Sequence, residues 1–516
     1  MKRPNQKGAA LLFALIFVLV LTIMMASLMF LSQSETWASM NYRLMTQSRY
    51  GAEAGLHAAA NYLMNNYTQP TVGGTDPIAA YNLNVSPVTL LAGGNPIALG
   101  PTMNGISSNY PVSTVLTNFN SATQNSLTAG NTTVNYSVSA KLVSMRQVRE
   151  CLNAGYLTAQ LWKLTSHGDI SGVRNSEVEV SALLESHVTP CYNYAGYATG
   201  SGCGSILFSG GGTIDSYNSS ALTVNNGVPV TQAYDGNLGS NGNANTAANT
   251  VINGTFSSPA QGVGPCSSGN VDALSGNTTA VTGCVTGTTN CGTPLVKLPQ
   301  AVTFPLAPIP STVPPPSDTV SNGQTLTPCT VNCPSNGANN GNYSDISLSG
   351  NGTVTLAPGG TNANNCSPGI YYINSISLSG NAQLIIAPCP GTGGNTGIPA
   401  VYQPVIVNIV GQNQSTPLDL GGNGISNPSF NASLVQFQYN GSGAVNIHGN
   451  GASAGVIYAP NAQVTLGGNG TIYGSVIGKQ LTANGNPVYI HYDRALANNL
   501  MTVGNWTLDT FTWSKF

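Results

Sequence analysis

The residues in this 516-residue sequence that point most directly to chemistry are ten cysteines, all at or beyond Cys151. Eight of them are close in sequence as Cys191 and Cys203, Cys284 and Cys291, Cys329 and Cys333, and Cys366 and Cys389. An even count in a histidine-poor region favours disulfides formed in an oxidising compartment, although the sequence does not define their pairing. Zinc binding at Cys329 and Cys333 is the alternative, but no second ligand pair has suitable spacing. We therefore expect local disulfides that fix loops, and neither a metal nor another cofactor.

Ionisable residues are scarce, with 14 Lys and Arg against 16 Asp and Glu, so that 6% of the chain is charged. Nucleic-acid binding is not expected, because a phosphate-tracking surface needs many cations. A polysaccharide-cleaving enzyme would need paired carboxylates on one face. The densest polar cluster is His491-Tyr492-Asp493-Arg494, which we interpret as a cap at the end of a domain. The composition therefore predicts a non-enzymatic protein, and loss of polysaccharide cleavage in Asp493→Ala would favour the alternative.

A seven-residue pattern, apolar-x-apolar-x-Gly-Asn-small, recurs in the C-terminal half at intervals of 30, 42, 27, 19 and 17 residues. Its corner residues are Gly350 and Asn351, Gly380 and Asn381, Gly422 and Asn423, Gly449 and Asn450, Gly468 and Asn469, and Gly485 and Asn486. Each copy predicts a short strand with two inward apolar side chains, followed by residues that tolerate left-handed backbone angles.

Such strands cannot bury their apolar face alone, so successive copies must stack. The repeats predict a right-handed parallel β-helix, a solenoid over residues 203–493, with aligned Asn and Thr side chains hydrogen-bonded along the corners. Low-complexity insertions are expected at 235–299 and 304–340. A sandwich or an irregular Gly-rich fold is the alternative. Calcium binding is not expected, because the β-roll repeat needs an Asp where this chain has Thr471.

The N-terminal region contains an apolar run at residues 9–31, about 35 Å long as a helix and sufficient to cross a membrane. Lys2, Arg3 and Lys7 precede this run, which predicts a cytoplasmic leader at 1–8 and the bulk of the chain outside the inner membrane. The part of the chain that continues this helix outside the membrane is expected at 32–69, and the helix itself should end at about Asn65. A cleaved signal peptide is the alternative, but its apolar region would be shorter.

The middle of the chain predicts a small head. Alternating segments at 133–143, 160–166 and 176–184 indicate an antiparallel sheet within an α/β region at 70–195. Residues 494–516 are expected to form a cap and a terminal strand. The fold class is therefore mainly β with a long N-terminal α-helix.

Two N-terminal segments resemble a known family. The string Lys7-Gly8-Ala9-Ala10-Leu11 resembles the cleavage region of type IV pilin-like proteins. The segment Ala52-Glu53-Ala54-Gly55-Leu56 resembles the AEAGL stretch of PilX-type (GspK-like) pilus-assembly proteins. The resemblance covers about residues 7–65. It implies that a prepilin peptidase cuts between Gly8 and Ala9, that the new amino terminus is methylated, and that the helix packs among other pilin-like subunits.

One departure refines this resemblance. Major pilins carry a Glu at the fifth mature position, where it neutralises the amino terminus of a neighbouring subunit, and this sequence has Phe13 there. In the superfamily a missing Glu is typical of subunits at the filament tip. The resemblance therefore implies a minor or tip subunit of a pilus or a secretion pseudopilus. A plain single-pass anchor that never enters a filament is the alternative.

The C-terminal segment 455–493 is similar to a β-helical domain of unknown activity that follows PilX-type N-termini, and Gly212–Tyr217 resembles its opening. We expect the β-helix to project outward and to make surface or adhesive contacts with glycans or with host or abiotic surfaces. A carbohydrate-binding or carbohydrate-cleaving protein tethered by the same helix, and a stand-alone adhesin, are the alternatives.

Overall fold

The computed structural model describes residues 7–102, 105, 107–129, 132–153, 155–171, 175–247, 249–285, 291, 294–309, 320–329, 341–485 and 487–515. Most of the expected leader, Cys333 and Asn486 lie outside these residues. The chain divides into two compact units. Unit 1 contains Met1–Gln147, Thr158–Val188 and Val503–Phe516, and unit 2 contains Val148–Leu157 and Thr189–Thr502.

The helices and strands of the first part of the chain are α1 (Lys7–Asn65), β1 (Tyr81–Asn82), β2 (Thr89–Leu90), β3 (Gly93–Pro96), β4 (Ala98–Leu99), α2 (Ser113–Thr123), β5 (Asn125–Ala129), β6 (Thr132–Arg149), β7 (Tyr156–Ile170) and β8 (Ser176–Pro190). Those that follow, up to the long connection, are β9 (Gly196–Ala198), β10 (Ile206–Phe208), β11 (Gly212–Tyr217), β12 (Val224–Asn225), β13 (Val228–Pro229), β14 (Leu238–Ser240), β15 (Ala244–Thr246), β16 (Thr250–Ile252), β17 (Phe256–Ser258), β18 (Leu274–Gly276) and β19 (Leu295–Lys297).

The remaining elements are β20 (Thr325–Leu326), β21 (Asn342–Tyr343), β22 (Ile346–Leu348), β23 (Thr353–Leu356), β24 (Gly369–Ile373), β25 (Ile376–Leu378), β26 (Gln383–Ile386), β27 (Val405–Ile409), β28 (Leu418–Leu420), β29 (Gly424–Ser426), β30 (Val435–Tyr439), β31 (Val445–Ile447), β32 (Ala452–Leu466), β33 (Thr471–Ala483), β34 (Val488–Asp493), α3 (Leu496–Asn499) and β35 (Met501–Lys515). Short 3₁₀ helices cover Ile78–Ala80, Ser219–Ala221, Thr278–Ala280, Ala363–Asn365, Gly394–Thr396 and Ala432–Leu434.

The long N-terminal helix predicted from the sequence is confirmed, and α1 ends at Asn65, before Pro70. Its side chains are exposed from Ala9 to Arg43, whereas from Ser48 onward one face of the helix is buried in unit 1. Leu56 and Leu63 on that face are fully buried. The helix is therefore an apolar rod in its first half and a core element in its second.

Glycines on both partners bring α1 into direct contact with the sheet of unit 1. A methyl group at Gly51 would lie 2.3 Å from Val134 Cγ1, and one at Gly55 would lie 2.6 Å from Ser166 Oγ. On the strand side, a methyl group at Gly168 would lie 2.1 Å from the Ser48 carbonyl oxygen. Gly55 of the AEAGL segment is therefore required for close packing between the helix and the strands.

The sheet of unit 1 has the order β35-β8-β7-β6-β4, with β5 paired to β6. β7 and β8 are antiparallel, with register from Leu161↔Glu185 to Ile170↔Ser176, which confirms the predicted antiparallel sheet. Alternate side chains of β8 are buried from Val178 to Leu184 against a core that includes Trp162 and Phe119. β35, near the C-terminal end of the chain, joins the same sheet.

Unit 2 consists of long parallel ladders whose register equals the spacing of the repeats. The first residue of each repeat strand pairs with its counterpart in the next copy: Ile346 with Ile376, Leu418, Val445, Val464 and then Leu481. The apolar side chains of these strands are buried in one core, as expected from the pattern. We call this series ladder A, which comprises β22, β25, β28, β31 and the ends of β32 and β33.

A second series, ladder B, runs through β21, β24, β27, β30 and the middle of β32 and β33. A third, ladder C, pairs β20, β23, β26 and β29. Each ladder places residues of one copy directly beside those of the next, so apolar side chains form continuous inward columns.

The chain enters these ladders in the middle instead of at one end. β10 pairs in parallel with β33 on one side and with β15 on the other, and β11 pairs likewise with β34 and β16. The last repeats of the chain therefore pair with its first strands of unit 2. We call the β34–β11 and β33–β10 contacts the seam. The cap interpretation of the 491–494 cluster is thus wrong, because Asp493 pairs with Tyr217 inside the seam.

Residues 235–299 were expected to interrupt the repeats, but the described part of this range supplies strands β14–β19 to the ladders. Its strands are short, with Gly and Ser where the repeats have Leu or Ile. Because of this composition, these strands lack the apolar alternation that would have predicted them.

The described disulfides join Cys151 to Cys191, Cys203 to Cys266, Cys284 to Cys291 and Cys366 to Cys389, and Cys329 is also disulfide-bonded. Proximity in sequence would have joined Cys191 to Cys203 and left Cys151 and Cys266 over. The fold decides otherwise, because the backbone amides of Cys151 and Cys191 bond to the consecutive carbonyls of Met501 and Leu500.

Candidate functional site: an exposed apolar helix and a polar corner surface

The exposed half of α1 is a candidate interaction surface of unit 1. Its apolar side chains from Leu11 to Leu31 are mostly more than half exposed, and Phe13 is 70% exposed. Fully burying one such side chain is favourable by about 1.5–3 kcal/mol, so this surface strongly favours lipid or other apolar helices over water. Among the described residues one helix, Ala9–Asn65, is long and apolar enough to span a membrane, with a window of mean hydropathy 2.9.

The two polar side chains within this apolar run satisfy their own hydrogen bonds. Thr22 Oγ1 donates to the Leu19 carbonyl at 2.8 Å, and Ser27 Oγ donates to the Ile23 carbonyl at 2.9 Å. Neither hydroxyl therefore needs water or a polar partner from outside the helix. The predicted cleavage residues Gly8 and Ala9 lie in the first turn of α1, one turn before Phe13.

The repeat corners form an exposed surface along ladder A in unit 2. Gly350, Gly380, Gly422, Gly449 and Gly468 have φ of 62°, 67°, 60°, 120° and 57°. Gly485, in the degenerate last copy, does not share this conformation. Among the described corners, the left-handed angle is adopted by the glycine and not by the asparagine that follows it.

The corner asparagines instead bond along the ladder, with Asn381 Nδ2 donating to Asn351 Oδ1 at 3.0 Å and Asn469 Nδ2 to Asn450 Oδ1 at 3.2 Å. Asn423 Nδ2 donates to the Asn381 carbonyl at 3.1 Å. These amides align because the strands that carry them pair in parallel register. The ladder therefore holds a row of exposed amide groups at fixed spacing.

A groove of about 470 Å³ lies beside the last corners. Its lining includes Asn446, His448, Thr465 and Asn484, together with the backbone of Gly467. His448 Nε2 lies 2.6 Å from Asp419 Oδ1 on the neighbouring strand. The groove thus presents mainly uncharged amide and hydroxyl groups beside one His–Asp contact.

The cluster that appeared most enzyme-like in sequence is structural. Asp493 is fully buried, and its carboxylate accepts hydrogen bonds from Ser219 N, Ser219 Oγ, Ala432 N and Ala495 N at 2.6–3.2 Å. Burial raises the pKa of Asp493, and those hydrogen bonds oppose the rise. His491 Nδ1 contacts Asp215 Oδ1, also buried. The Asp493 carboxylate therefore joins the segments that contain Ser219, Ala432 and Ala495.

Other titratable clusters of the described residues have structural partners. In unit 1, His167 lies 3.0 Å from Glu177 and 2.8 Å from Glu179 at the surface of the sheet. Tyr67 donates to or accepts from Tyr110 at 3.0 Å, and burial raises the pKa of both phenols. No group of three or more His, Cys, Asp or Glu side chains in the described part of the chain is arranged to hold a metal ion.

Sequence reasoning missed two sets of residues that bring distant segments into contact. Gly168 gave no signal, because a glycine within a strand does not reveal the helix that lies against it. Asn241 and Asn440, which hold the long connection between β19 and β20, lie in Asn-rich stretches with many similar residues. Neither could have been selected without the tertiary contacts.

Comparisons with known proteins agree with the N-terminal geometry. Residues 7–57 match the family model described as PilX N-terminal, and residues 405–499 match a domain of unknown function, DUF7305. No curated protein matches the sequence. The competence-associated pilin ComZ from Thermus thermophilus is similar at 13% identity and a TM-score of 0.26, over 92% of this chain and 98% of that one. At that score the likeness supports no argument about this chain.

The PilX N-terminal match covers the apolar half of α1 and the AEAGL segment that packs against the sheet. Together with the exposed helix, this fits a membrane-anchored or pilus-associated protein. Residues 7–57 of the chain are therefore similar to the N-terminal segment of PilX proteins.

Proposed function

We propose that this protein is a non-enzymatic minor or tip subunit of a type IV pilus or a secretion pseudopilus. The observation that carries the proposal is the division of α1. Its second half is fixed in unit 1 by Gly51 and Gly55, whereas its first half exposes an apolar surface from Ala9 to Leu31. A rod of this kind anchors the subunit in the inner membrane and packs among the helices of other pilin-like subunits.

The side chain at position 13 supports a place at the end of a filament. A carboxylate here would pair with the amino terminus of a neighbour inside the apolar bundle, and Phe13 removes that ion pair. A tip subunit contacts other subunits on one side only, so it has less need of the pair. Prepilin peptidase is the partner expected for processing at Gly8 and Ala9.

Unit 2 is the displayed part in this proposal. We infer that ladders A, B and C are the faces of a parallel β-helix, because each strand pairs in register with the strand one repeat later. Its corner surface carries few charges and many amides, which suits contacts with glycans or with host or abiotic surfaces. The disulfides suit a location outside the inner membrane.

Mass spectrometry of the mature amino terminus tests the processing step. We expect an N-methylated Ala9 in membranes of a host with a prepilin peptidase, and an intact leader in Gly8→Val. Ala10→Val, on the other side of the bond, is the matched control and should be processed. An intact Met1 in the wild type, or a cut near residue 27, would contradict the proposal.

Immunogold labelling of unit 2 on sheared pili tests the position in the filament. The wild type should label filament ends, and Phe13→Glu should also label along the shaft, because the added carboxylate can pair with a neighbouring amino terminus. Phe13→Leu should behave as the wild type. Absence of unit 2 from purified filaments, with normal expression in the membrane, would refute the assembly role.

A tethered carbohydrate-binding or carbohydrate-cleaving protein is the second candidate, and the groove beside His448 favours it. Sedimentation with insoluble polysaccharides, followed by analysis of the released sugars, separates the two functions of this candidate. His448→Ala and Asp419→Asn are the informative variants, because Asp493→Ala would disturb the seam. Binding or cleavage lost in these variants, by a chain absent from filaments, would replace our first proposal.

A further inference from the structure

The connection between β19 and β20 is held against unit 2 as if it were a bound peptide. We call its residues 298–309 the strap, and it has no regular secondary structure. Val302, Phe304 and Ala307 face unit 2, whereas Thr303, Pro305 and Leu306 are exposed. One side of this extended segment therefore packs against the core of unit 2.

Two asparagine side chains each hold both backbone groups of one strap residue. Asn241 Oδ1 accepts from Val302 N at 2.7 Å, and Asn241 Nδ2 donates to Val302 O at 2.9 Å. Asn440 does the same with Ala307, at 2.9 Å for the accepted bond and 2.8 Å for the donated one. Each amide therefore replaces the neighbouring strand that an extended backbone would otherwise need.

Aromatic side chains provide the apolar part of the contact. The Phe304 ring centroid lies 4.9 Å from that of Tyr197 and 6.3 Å from that of Tyr458. Tyr458 OH donates to the Pro305 carbonyl. Pro305 has no N–H to satisfy, so a proline at this position leaves no donor without a partner. Aromatic pockets with a few backbone hydrogen bonds are a common way to bind extended, proline-containing segments.

The residues that hold the strap come from both sides of it in the sequence. Tyr197 lies in β9 and Asn241 follows β14, both before the strap, whereas Asn440 follows β30 and Tyr458 lies in β32, both after it. We propose that Tyr197, Asn241, Asn440 and Tyr458 form a binding groove for an extended, proline-containing peptide. The strap is its resident ligand, and its occupancy fastens the two halves of unit 2 together.

The test removes the strap from the groove without shortening the chain. Residues 302–307 are replaced by six alternating Gly and Ser residues, and a labelled synthetic peptide with the sequence of residues 298–309 is added. We expect saturable binding to this variant and at least tenfold weaker binding to the wild type, because a tethered strap competes at a high effective concentration. Adding Asn241→Ala and Asn440→Ala to the variant should weaken peptide binding at least tenfold.

The proposal would be overturned if the peptide bound the wild type and the Gly/Ser variant equally, or if substitution of both asparagines left peptide binding unchanged. If the Gly/Ser variant does not fold, limited proteolysis of the intact chain gives the answer. Asn241→Ala with Asn440→Ala should increase cleavage within 302–307 at least tenfold. Asn461→Ala is the matched control, because Asn461 Nδ2 donates to the Asn440 carbonyl at 2.9 Å and not to the strap. If cleavage is unchanged in the double variant, the two asparagines do not hold the strap and the proposed binding groove is wrong.

Discussion

The corner glycines give a quantitative test of how closely successive repeats pack. Gly449 has φ of 120°, and a methyl group there would lie 2.3 Å from the Gly422 carbonyl oxygen and 2.9 Å from the Gly422 nitrogen. Both obstacles are backbone atoms, so they cannot move aside as a flexible side chain would. At Gly350, φ is 62° and no heavy atom lies within 4 Å of the added methyl group. The two positions therefore share a corner role but differ in the space available.

We expect Gly350→Ala to lower the free energy of unfolding of unit 2 by about 1 kcal/mol, the usual penalty of a left-handed alanine. Gly449→Ala combines a backbone angle that alanine hardly adopts with a clash, and should cost about 3–5 kcal/mol. Gly468→Ala is a second control, because its nearest contact would be 3.6 Å away. It should resemble Gly350→Ala.

The two units can be followed separately in one denaturation experiment. All four tryptophans, at positions 37, 162, 506 and 513, belong to unit 1. Tryptophan fluorescence therefore reports unit 1, whereas far-ultraviolet circular dichroism contains the strands of unit 2 as well as the helices and strands of unit 1. In guanidinium titrations of the full chain in detergent, the three alanine substitutions should shift the circular dichroism transition and leave the fluorescence transition unchanged. If the three alanine variants are equally stable, or if Gly449→Ala is the mildest, the packing argument is wrong.

Three further predictions address the helix contact, the seam and the disulfides. Gly55→Val should destabilise unit 1 by about 1–3 kcal/mol through overpacking, seen as an earlier fluorescence transition with unit 2 unchanged; an unchanged fluorescence midpoint would contradict it. Burial raises the pKa of Asp493 above its ordinary 3.8, so the folded state binds this proton more tightly and the residue's contribution to stability falls as pH rises through that range. The stability difference between wild type and Asp493→Asn should therefore shrink between about pH 3 and about pH 7, with the half-buried Asp419→Asn as the control, and a difference that grows would refute the sign. Replacing Cys203 and Cys266 by serine opens a 63-residue loop and should cost about 4 kcal/mol by loop entropy, measured by urea denaturation; a loss below about 1 kcal/mol would show that the unfolded chain is not constrained by this bond.

The sequence by itself determined those features that depend on local periodicity. The apolar run and the absence of proline predicted α1 to Asn65, and alternation predicted the strands that became β6, β7 and β8. The Gly-Asn repeat also predicted which strands stack, because the interval between copies equals the register between their paired residues. These properties are local or periodic, so they can be read along the chain.

Only the tertiary structure decided the rest, because it depends on contacts between distant segments. The seam joins Ile490 to Ile214, and no local signal marks that pairing. Cys151 and Cys191 meet because their backbone amides bond to the consecutive carbonyls of Met501 and Leu500, and Gly168 is needed only because α1 lies against it. The strap is held by two particular asparagines, Asn241 and Asn440, in a chain rich in asparagine. Long-range pairing of this kind leaves no periodic trace, so composition and spacing could not reveal it.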